Sequence, residues 1–239
     1  MNSTSPASAG PATSQSLHSS DGNGERVRKG ERSRTRILDA AARLLSCHGY
    51  AATTLTDIAS AAQMQAGSLY YHFDSKDSIV EEVLRVGIDH ARCAIDTALD
   101  SLGPGASGAD RLAEAIVAYV NCIVAESSFT VANIRCFNES PPKTRQSLAV
   151  PLREFANLWV SLLVEGQADG SLRGDANAGA LARILISGLN SLASWYRASG
   201  ELRLNELARQ FADMVLGGLA RPDTTRLASA APPPLQQHA

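Results

Sequence analysis

Apolar residues recur three and four positions apart through most of this chain, and that spacing is the strongest constraint on its fold. Residues 37–45 carry the pattern near the start, and residues 112–123 carry it again in the second half. Alternating Val, Ile and Thr residues of the kind that form strands are almost absent. The sequence therefore predicts an all-α protein.

Capping and turn signals divide the periodic sequence into separate helices. Thr54 and Asp57 form a T-x-x-D capping-box pattern ahead of a short helix, and Ser75 can cap a long one. Pro151 is expected to bend or interrupt the helix in which it lies. The predicted helices cover residues 31–48, 55–62, 66–72, 76–101, 108–127 and 128–138, a stretch from Pro142 past Leu163, and residues 176–199 and 203–219.

The two ends of the chain have a different composition from the helical part. Residues 1–24 and 221–239 are rich in Ser, Ala, Gly, Pro and Thr, which bury too little apolar surface to offset the entropy of ordering. We expect both ends to be disordered. Residues 25–36 hold six basic and two acidic side chains, a short basic arm that can lie on phosphates or form a solvated polar terminus.

The remaining composition narrows the class of protein. The formal net charge is -2, and no uninterrupted apolar segment is long enough to cross a bilayer. The first twenty residues lack the pattern of a signal peptide, so we expect a cytoplasmic protein without a membrane segment. The four cysteines show no metal-ligand spacing, so no metal or cofactor is expected.

The segment from 55 to 76 carries the functional signal. Two short helices separated by a tight turn are typical of a helix-turn-helix, whose second helix lies in the DNA major groove. The run from Tyr70 to Phe73 places four aromatic rings side by side. We expect Leu69 and Phe73, four residues apart, to face inward. The side chains between them would then face out, where hydroxyls and ring edges can meet phosphates and thymine methyl groups.

The segment RILDAAARLLSCHGYAATTLTDIASAAQMQAGSLYYHFDSKDSI, residues 36–79, strongly resembles the DNA-binding half of the tetracycline-repressor-like (TetR/AcrR) family. The resemblance implies an all-helical homodimer with an N-terminal three-helix DNA-binding domain. It also implies a C-terminal domain that binds a small molecule and dimerises, and ligand-relieved repression as the usual activity. The positions in register are Gly49-Tyr50, Thr53-Thr54, Ile58-Ala59, Gly67, Leu69-Tyr70, Phe73 and Ser75-Lys76.

With this resemblance, the chain divides into four predicted parts. They are a disordered, basic-ended arm (1–30), a helix-turn-helix DNA-binding domain (31–76), a helical effector-binding and dimerisation domain (77–220) and a disordered tail (221–239).

The turn departs from the family pattern. It usually reads Ala-Gly-Val-Ser, whereas this chain has Ala62-Gln63-Met64-Gln65, which lacks both the flexible Gly and the Ser cap. Ala66 offers only a methyl group where some members place a polar side chain that reads a base. The family roles, carried over by position, assign phosphates to Thr54, Tyr70, Tyr71, His72 and Lys76, bases to Gln65, Ala66, Gly67 and Ser68, and further backbone contacts to Arg32 or Arg34. The palindromic operator itself cannot be read from these residues.

In the C-terminal half, the resemblance implies that the last two helices form a four-helix bundle between two copies. Small residues would allow close approach at Ser187, Gly188, Ser191 and Ala193, and apolar side chains would fill the bundle at Leu189, Leu192, Leu207, Phe211, Met214 and Val215. An ordinary core helix shows the same stripe. Candidates for lining an effector cavity are His90, Cys93, Tyr119, Asn133, Arg135, Phe137, Trp159 and Trp195, each of which also suits a place in the core or on the surface.

The function that these patterns favour is a sequence-specific repressor released from its operator by a small lipophilic or acyl-CoA-type effector. A transcriptional activator and a helical protein-interaction scaffold stay open as alternatives. An enzyme is disfavoured, because no Ser/His/Asp set, paired carboxylates or phosphate-binding loop appears in the sequence.

Overall fold

The computed structural model describes residues 21–196 and 203–219 as an all-helical protein. Within these two ranges there is no β-strand, and no single helix has both the length and the apolar character needed to cross a bilayer. The helices are α1 (Asp21–Ala52), α2 (Leu55–Ala61), α3 (Ala66–Leu69), α4 (Lys76–Asp100), α5 (Gly108–Asn121), a π-helical turn (Cys122–Glu126), α6 (Ser128–Cys136), α7 (Pro142–Ser147), α8 (Ala149–Ala168), α9 (Ala178–Trp195) and α10 (Leu204–Leu219).

Helix α1 begins earlier than the sequence predicted, while its regular part ends before Gly49, in agreement with the predicted end at residue 48. It starts at Asp21 instead of residue 31, because the Arg, Lys and Glu residues of this stretch are good helix formers. The expectation of disorder up to residue 30 is therefore wrong for residues 21–30, and for residues 1–20 and 221–239 it lies outside the described residues. At the other end, Gly49 has φ 80° and ψ 178°, which kinks the chain before its last residues.

Local capping shapes the helix-turn-helix as predicted. Thr54 and Asp57 form a full capping box at the start of α2, and Ser75 forms another with Ser78 at the start of α4. Helix α3 is shorter than the predicted 66–72 and ends at Leu69. The chain nevertheless continues to turn, because the backbone N–H groups of His72 and Phe73 both donate to the Leu69 carbonyl at 2.9 Å.

Helices α4 and α6 cross at very close range. A Cβ atom at Gly87 would lie 2.3 Å from the carbonyl oxygen of Phe129, so only glycine permits this approach. Thr130 reinforces the contact, since its hydroxyl donates to the Gly87 carbonyl at 3.1 Å. Helix α6 also packs along α1, so it joins the C-terminal helices to the DNA-binding half.

The predicted interruption near Pro151 is confirmed. Pro151 lies in the first turn of α8, where its missing N–H costs no helical hydrogen bond. Its ring would clash with the carbonyl four residues earlier, at Ser147, if the helix were continuous. The chain therefore breaks between α7, which ends at Ser147, and α8, which begins at Ala149.

The last helices pack around α5. Helix α5 contacts α8, α9 and α10, and Gly108 at its start lies so close to Gly166 of α8 that a Cβ atom there would be 2.3 Å from the Gly166 backbone nitrogen. Helix α9 ends at Trp195 because Tyr196 is extended, and residues 197–199 of the predicted 176–199 helix lie outside the described residues. The bounds of α10 agree with the predicted 203–219.

Candidate nucleic-acid interface and ligand cavity

The chain from Gln65 to Phe73 has one face in the core and one in solvent. Leu69 and Phe73 are only 1% and 6% exposed, as predicted, and anchor the segment from inside. Tyr70 and Tyr71 are 61% and 90% exposed, which is far more than packing alone would leave for aromatic side chains. On the same segment, the exposed residues also include Gln65, Ala66 and Gly67, while Ser68 and His72 are half-buried.

The turn between α2 and α3 has Gln63 at the position where the family usually has a glycine. Gln63 takes its place with φ 56°, the left-handed backbone region that favours glycine. Arg36 supports the turn, because its guanidinium donates to the carbonyls of Ala62 and Gln63. Gln65 is the N-cap of α3 but makes no capping hydrogen bond with its side chain. The sequence reasoning missed Arg36, whose only signal was its place at the end of the basic stretch.

Thr54 is exposed at the start of α2, where a phosphate contact was predicted. Its hydroxyl donates to an Asp57 carboxylate oxygen at 2.6 Å, and the backbone N–H of Asp57 donates back to it at 3.2 Å. The hydrogen bond from the Thr54 hydroxyl, together with one from the Thr54 backbone N–H, lowers the pKa of Asp57. The Thr54 backbone N–H is also bound to that carboxylate, at 3.0 Å. The residue is therefore primarily a helix cap.

Arg34, one of the two arginines predicted to contact the DNA backbone, has partners within the chain. Its two guanidinium nitrogens donate to both carboxylate oxygens of Glu82, and its Cζ lies 4.5 Å from the centroid of the Phe73 ring. The pair uses two of the five N–H donors of the guanidinium and holds it beside Phe73, so Arg34 has less freedom to reach a phosphate than an unpaired side chain. Arg32, the other candidate, is exposed.

Lys76 also has an internal partner that the sequence did not suggest. Its ammonium donates to the Tyr50 carbonyl at 2.6 Å and lies 4.0 Å from the centroid of the Tyr50 ring. The Tyr50 hydroxyl in turn donates to Asp77 at 2.7 Å, and this hydrogen bond is the main reason that the pKa of Tyr50 rises to about 12. An ammonium group has three donors, so Lys76 keeps capacity for a phosphate beside the interface.

Arg135, predicted as a ligand contact, does not line the groove or the inner cavity described below, but lies beside a third space of about 240 Å³. Its guanidinium donates to the carbonyls of Ser46 and Cys47 at the end of α1. Nearby, a carboxylate oxygen of Glu139 accepts from the Tyr50 backbone N–H at 3.2 Å. The Arg135 guanidinium therefore links α6 to the turn of α1 just before the Gly49 kink, where free carbonyls attract cations.

Two of the predicted ligand contacts lie in an open groove between α4 and α5. The groove has a volume of about 640 Å³ and is lined by His90, Cys93 and, among others, Ser127. The His90 Nδ1 and Ser127 Oγ atoms share a hydrogen bond of 2.9 Å, and the His90 ring meets the Phe129 ring edge-on at 5.3 Å. The groove is thus closed at one end by the start of α6.

Two other predicted contacts line a second, more enclosed cavity of about 100 Å³ between α4, α5, α6, α8 and α9. These are Tyr119 and Asn133, and they share the cavity with Asn190, which the sequence reasoning missed. The Tyr119 hydroxyl donates to Asn190 Oδ1 at 2.7 Å, and burial raises the pKa of Tyr119 well above its usual range. Asn190 lay in an apolar helix, where a lone amide gives little signal.

The remaining candidates lie away from both spaces. Trp159 is fully buried behind the inner cavity, where its ring packs on Tyr119 and Phe155. Phe137 packs partly buried against the core, and Trp195 is 52% exposed at the end of α9. In the part of the chain that the structure describes, no three His, Cys, Asp or Glu side chains are placed to share a metal ion.

Two protein-family models match this chain, one in each half. The family model described as bacterial regulatory proteins, tetR family, matches residues 37–83. The model described as the tetracyclin repressor-like C-terminal domain matches residues 105–219. Together the two models cover the helix-turn-helix and most of the helices that form the groove and the inner cavity.

Individual proteins agree with the family models. The chain is 36% identical to the HTH-type transcriptional repressor KstR2 of Rhodococcus jostii over 79% of this chain and 92% of that protein. The structure of the ketosteroid transcriptional regulator KstR2 of Mycobacterium tuberculosis matches with a TM-score of 0.68 at 28% identity, over 79% of this chain and 95% of that one. AibR in complex with isovaleryl coenzyme A and operator DNA also matches with a TM-score of 0.68, over 79% and 98% of the two chains, and at 19% identity it supports the fold alone. The chain therefore belongs to the TetR family of bacterial transcriptional regulators.

Proposed function

We propose that this regulator is a DNA-binding repressor that a small molecule releases from its operator. The observation that carries the proposal is the exposed arc from Gln65 to Tyr71, fixed from inside by Leu69 and Phe73. A helix-turn-helix with this arc presents amide, hydroxyl and aromatic groups to a major groove. Similarity to KstR2 of Rhodococcus jostii, named a repressor, supports repression as the direction of control.

The proposed DNA contacts fall into two groups. Gln65, Ala66, Gly67 and Ser68 form the start of α3, which enters the groove, and of these Gln65 and Ser68 can read base edges by hydrogen bonds. The rim that holds phosphates consists of Arg32, Tyr70, Tyr71, His72 and Lys76, while Thr54 is left out because both of its donors are bound to Asp57. Arg34 is left out of this group because Glu82 already binds its guanidinium.

We propose that two copies bind a palindromic operator through a dimer formed by α9 and α10. Ile184 of α9 and Met214 of α10 are 70% and 64% exposed, which leaves two large apolar side chains for a partner. Leu189, Leu192 and Leu207 are instead buried within one chain, so they support the bundle from behind. A dimer presents two α3 segments, and their spacing decides whether both half-sites can be bound.

The proposed effector is an acyl-CoA-type compound. The groove, with about 640 Å³ lined by polar and apolar side chains, offers space for the carrier, and the inner cavity beside it offers a small enclosed space for an acyl end. Helix α6 lines the inner cavity with Thr130 and Asn133 and holds α1 with Arg135. An effector that binds better to one position of α6 would therefore shift the equilibrium between two settings of the DNA-binding half.

A gel-shift titration with DNA from upstream of its own gene tests the DNA-binding part. We expect a specific complex whose affinity falls steeply with salt, because several phosphates are neutralised. Footprinting should show two half-sites about one helical turn, or a multiple of it, apart. Binding that is equally tight to unrelated DNA, or absent at physiological salt, would contradict the proposal.

The effector part is tested by adding a panel of acyl-CoA compounds to the preformed complex. We expect at least one to release the DNA, while free coenzyme A does not. If no acyl-CoA releases the DNA and free fatty acids or aromatic compounds do, the regulator responds to ligands but the proposed class is wrong.

A further inference from the structure

The inner cavity contains two amide side chains in a mainly apolar wall. Asn133 comes from α6 and Asn190 from α9, and both line the cavity together with side chains such as Leu152, Phe155 and Ile186. Both residues are half-buried, and a ligand that covers a polar group without hydrogen-bonding to it loses free energy, so the two amides favour a ligand with matching polar groups. The existing partners of each amide show what it has left to offer.

Asn190 has its oxygen occupied and its NH₂ group available to a ligand. The Tyr119 hydroxyl donates to Asn190 Oδ1 at 2.7 Å. Tyr119 is only 3% exposed, and its phenol stays protonated as a donor because burial raises its pKa. This bond orients the amide, and the described residues provide no acceptor for its Nδ2 atom. Asn190 therefore offers a donor to a ligand oxygen.

Asn133 offers the opposite group. Its Nδ2 atom donates to the Leu84 carbonyl of α4 at 3.1 Å, which leaves Oδ1 as an acceptor. The cavity thus combines one oriented donor with one oriented acceptor. A hydroxyl can use both of these groups, a keto oxygen can use the donor, and a plain hydrocarbon leaves both unpaired.

The volume of the cavity limits what enters it. At about 100 Å³ it is smaller than an engineered cavity of about 150 Å³ that binds benzene. It therefore suits a short chain of a few carbon atoms rather than a ring system. The larger groove of about 640 Å³ lies next to it and is open to solvent.

One thin wall separates the two spaces. Cys122 lines the groove, Thr130 lines the cavity, and their side chains meet at 3.3 Å. The π-helical turn begins at Cys122, and such turns occur frequently at functional sites. A ligand that parts this contact can lie in both spaces at once, with its short end inside.

We propose that the effector is a short-chain acyl thioester whose acyl group carries a hydroxyl or keto oxygen, and that Asn190 donates a hydrogen bond to that oxygen. Asn133 accepts from the oxygen when it is a hydroxyl. The thioester carrier lies along the groove past His90 and Cys93. This inference rests on the proposed acyl-CoA effector and adds the size and chemistry of its buried end.

The test compares 3-hydroxybutyryl-CoA with butyryl-CoA, which share one carbon chain and differ in the oxygen. Binding is followed by the fluorescence of Trp159 in a Trp195→Phe background, because the chain has only two tryptophans and Trp159 packs on two cavity residues. We expect the hydroxyl compound to bind at least about fivefold more tightly, as for one net hydrogen bond.

The informative variant is the double substitution Tyr119→Phe with Asn190→Leu, which removes both members of the hydrogen bond and leaves no orphaned hydroxyl. It should lower the affinity ratio by about fivefold, because the donor of Asn190 is lost and only the acceptor of Asn133 remains for the hydroxyl. As a matched control, Asn121→Leu removes an amide from the groove wall and should leave the ratio unchanged. Octanoyl-CoA should bind more weakly than butyryl-CoA, because its chain exceeds the cavity.

Equal affinities in the parent protein, a preference that the double substitution leaves unchanged, or no binding of either compound would each overturn this inference. Its failure is distinguishable from failure of the proposed function. If hydroxylated and plain acyl-CoA compounds release the operator equally well, only the proposed recognition of the hydroxyl by the inner cavity is wrong. Discrimination in the binding assay without release of DNA would remove only the effector role.

Discussion

Gly67 and Gly87 lie in two regions that use the absence of a side chain in opposite ways. A Cβ atom at Gly67, on the exposed face of α3, would meet no atom within 4 Å. A Cβ atom at Gly87, on α4, would lie 2.3 Å from the Phe129 carbonyl oxygen. Gly67 therefore leaves space at the surface for another molecule to approach α3, whereas Gly87 leaves space for α6 to pack closely against α4.

The tyrosines of the two regions show the same contrast. Tyr71 beside α3 is 90% exposed, while Tyr119 on α5 is 3% exposed and hydrogen-bonded to Asn190. In the DNA-binding half, the tyrosine side chains near Gly67 are exposed and accessible to another molecule. In the C-terminal half, side chains form the wall of an internal cavity. Substitutions of exposed residues near α3 should therefore change mainly DNA binding, and substitutions at the close helix contacts of the C-terminal half should change mainly stability.

The largest effect is expected for Gly87→Ala. The new methyl group would push α6 away from α4, and overpacking of this kind should lower the free energy of unfolding by about 3 kcal/mol. Urea denaturation measures the change. Gly103→Ala is the matched control, because a Cβ atom there meets nothing within 4 Å. An unchanged urea midpoint for Gly87→Ala would mean that the α4–α6 contact is not tight.

Tyr71→Ala should weaken operator binding about tenfold, or about 1.4 kcal/mol, through loss of a phosphate contact. The melting temperature should stay the same, because the side chain is 90% exposed. Lys76→Ala provides the contrast, since it also removes the donor to the Tyr50 carbonyl and should lower both affinity and stability. A stability loss in Tyr71→Ala, with intact DNA binding, would reverse the assignment.

Gly67→Ala should change stability and binding in opposite directions. Alanine is a better helix former, so the free energy of unfolding should rise by up to about 1 kcal/mol. The methyl group would occupy the space that the operator needs, so affinity in the gel shift should fall. An unchanged affinity would show that the backbone of α3 does not approach the DNA closely.

The smallest effect is expected for Gln63→Gly at the turn before α3. The left-handed backbone of Gln63 costs about 1 kcal/mol, part of which is offset because glycine adds entropy to the unfolded chain. A net gain of about 0.5 kcal/mol should appear as a small rise in melting temperature. A loss of stability would indicate that the Gln63 side chain makes a contact that outweighs its backbone strain.

Much of the DNA-binding half could be predicted from sequence because its signals are local. The capping boxes at Thr54 and Ser75 each involve residues three positions apart, and the inward pair Leu69 and Phe73 follows from helical spacing. The start of α1 was misplaced because its charged residues suit both a helix and a solvated arm, and the pattern of apolar residues does not separate these states.

The residues that line the groove and the inner cavity were predicted less well. His90 and Cys93 do line the groove, and Tyr119 and Asn133 do line the inner cavity. Trp159, however, lies in the core behind it, and Asn190 was not recognised. Which side chains face a cavity depends on how five helices meet, and the helical period of any one of them does not contain that information.

The sequence by itself determined the helical class, the helix-turn-helix and the family, because these follow from spacing, caps and a motif of neighbouring residues. Only the tertiary structure decided what the charged side chains do. Arg34 binds Glu82, Lys76 binds the Tyr50 carbonyl, and Arg135 binds the end of α1 at Ser46, a residue 89 positions away. The physical reason is that a long cationic side chain binds whichever acceptor the packed helices bring within reach, and only the packing brings distant acceptors there.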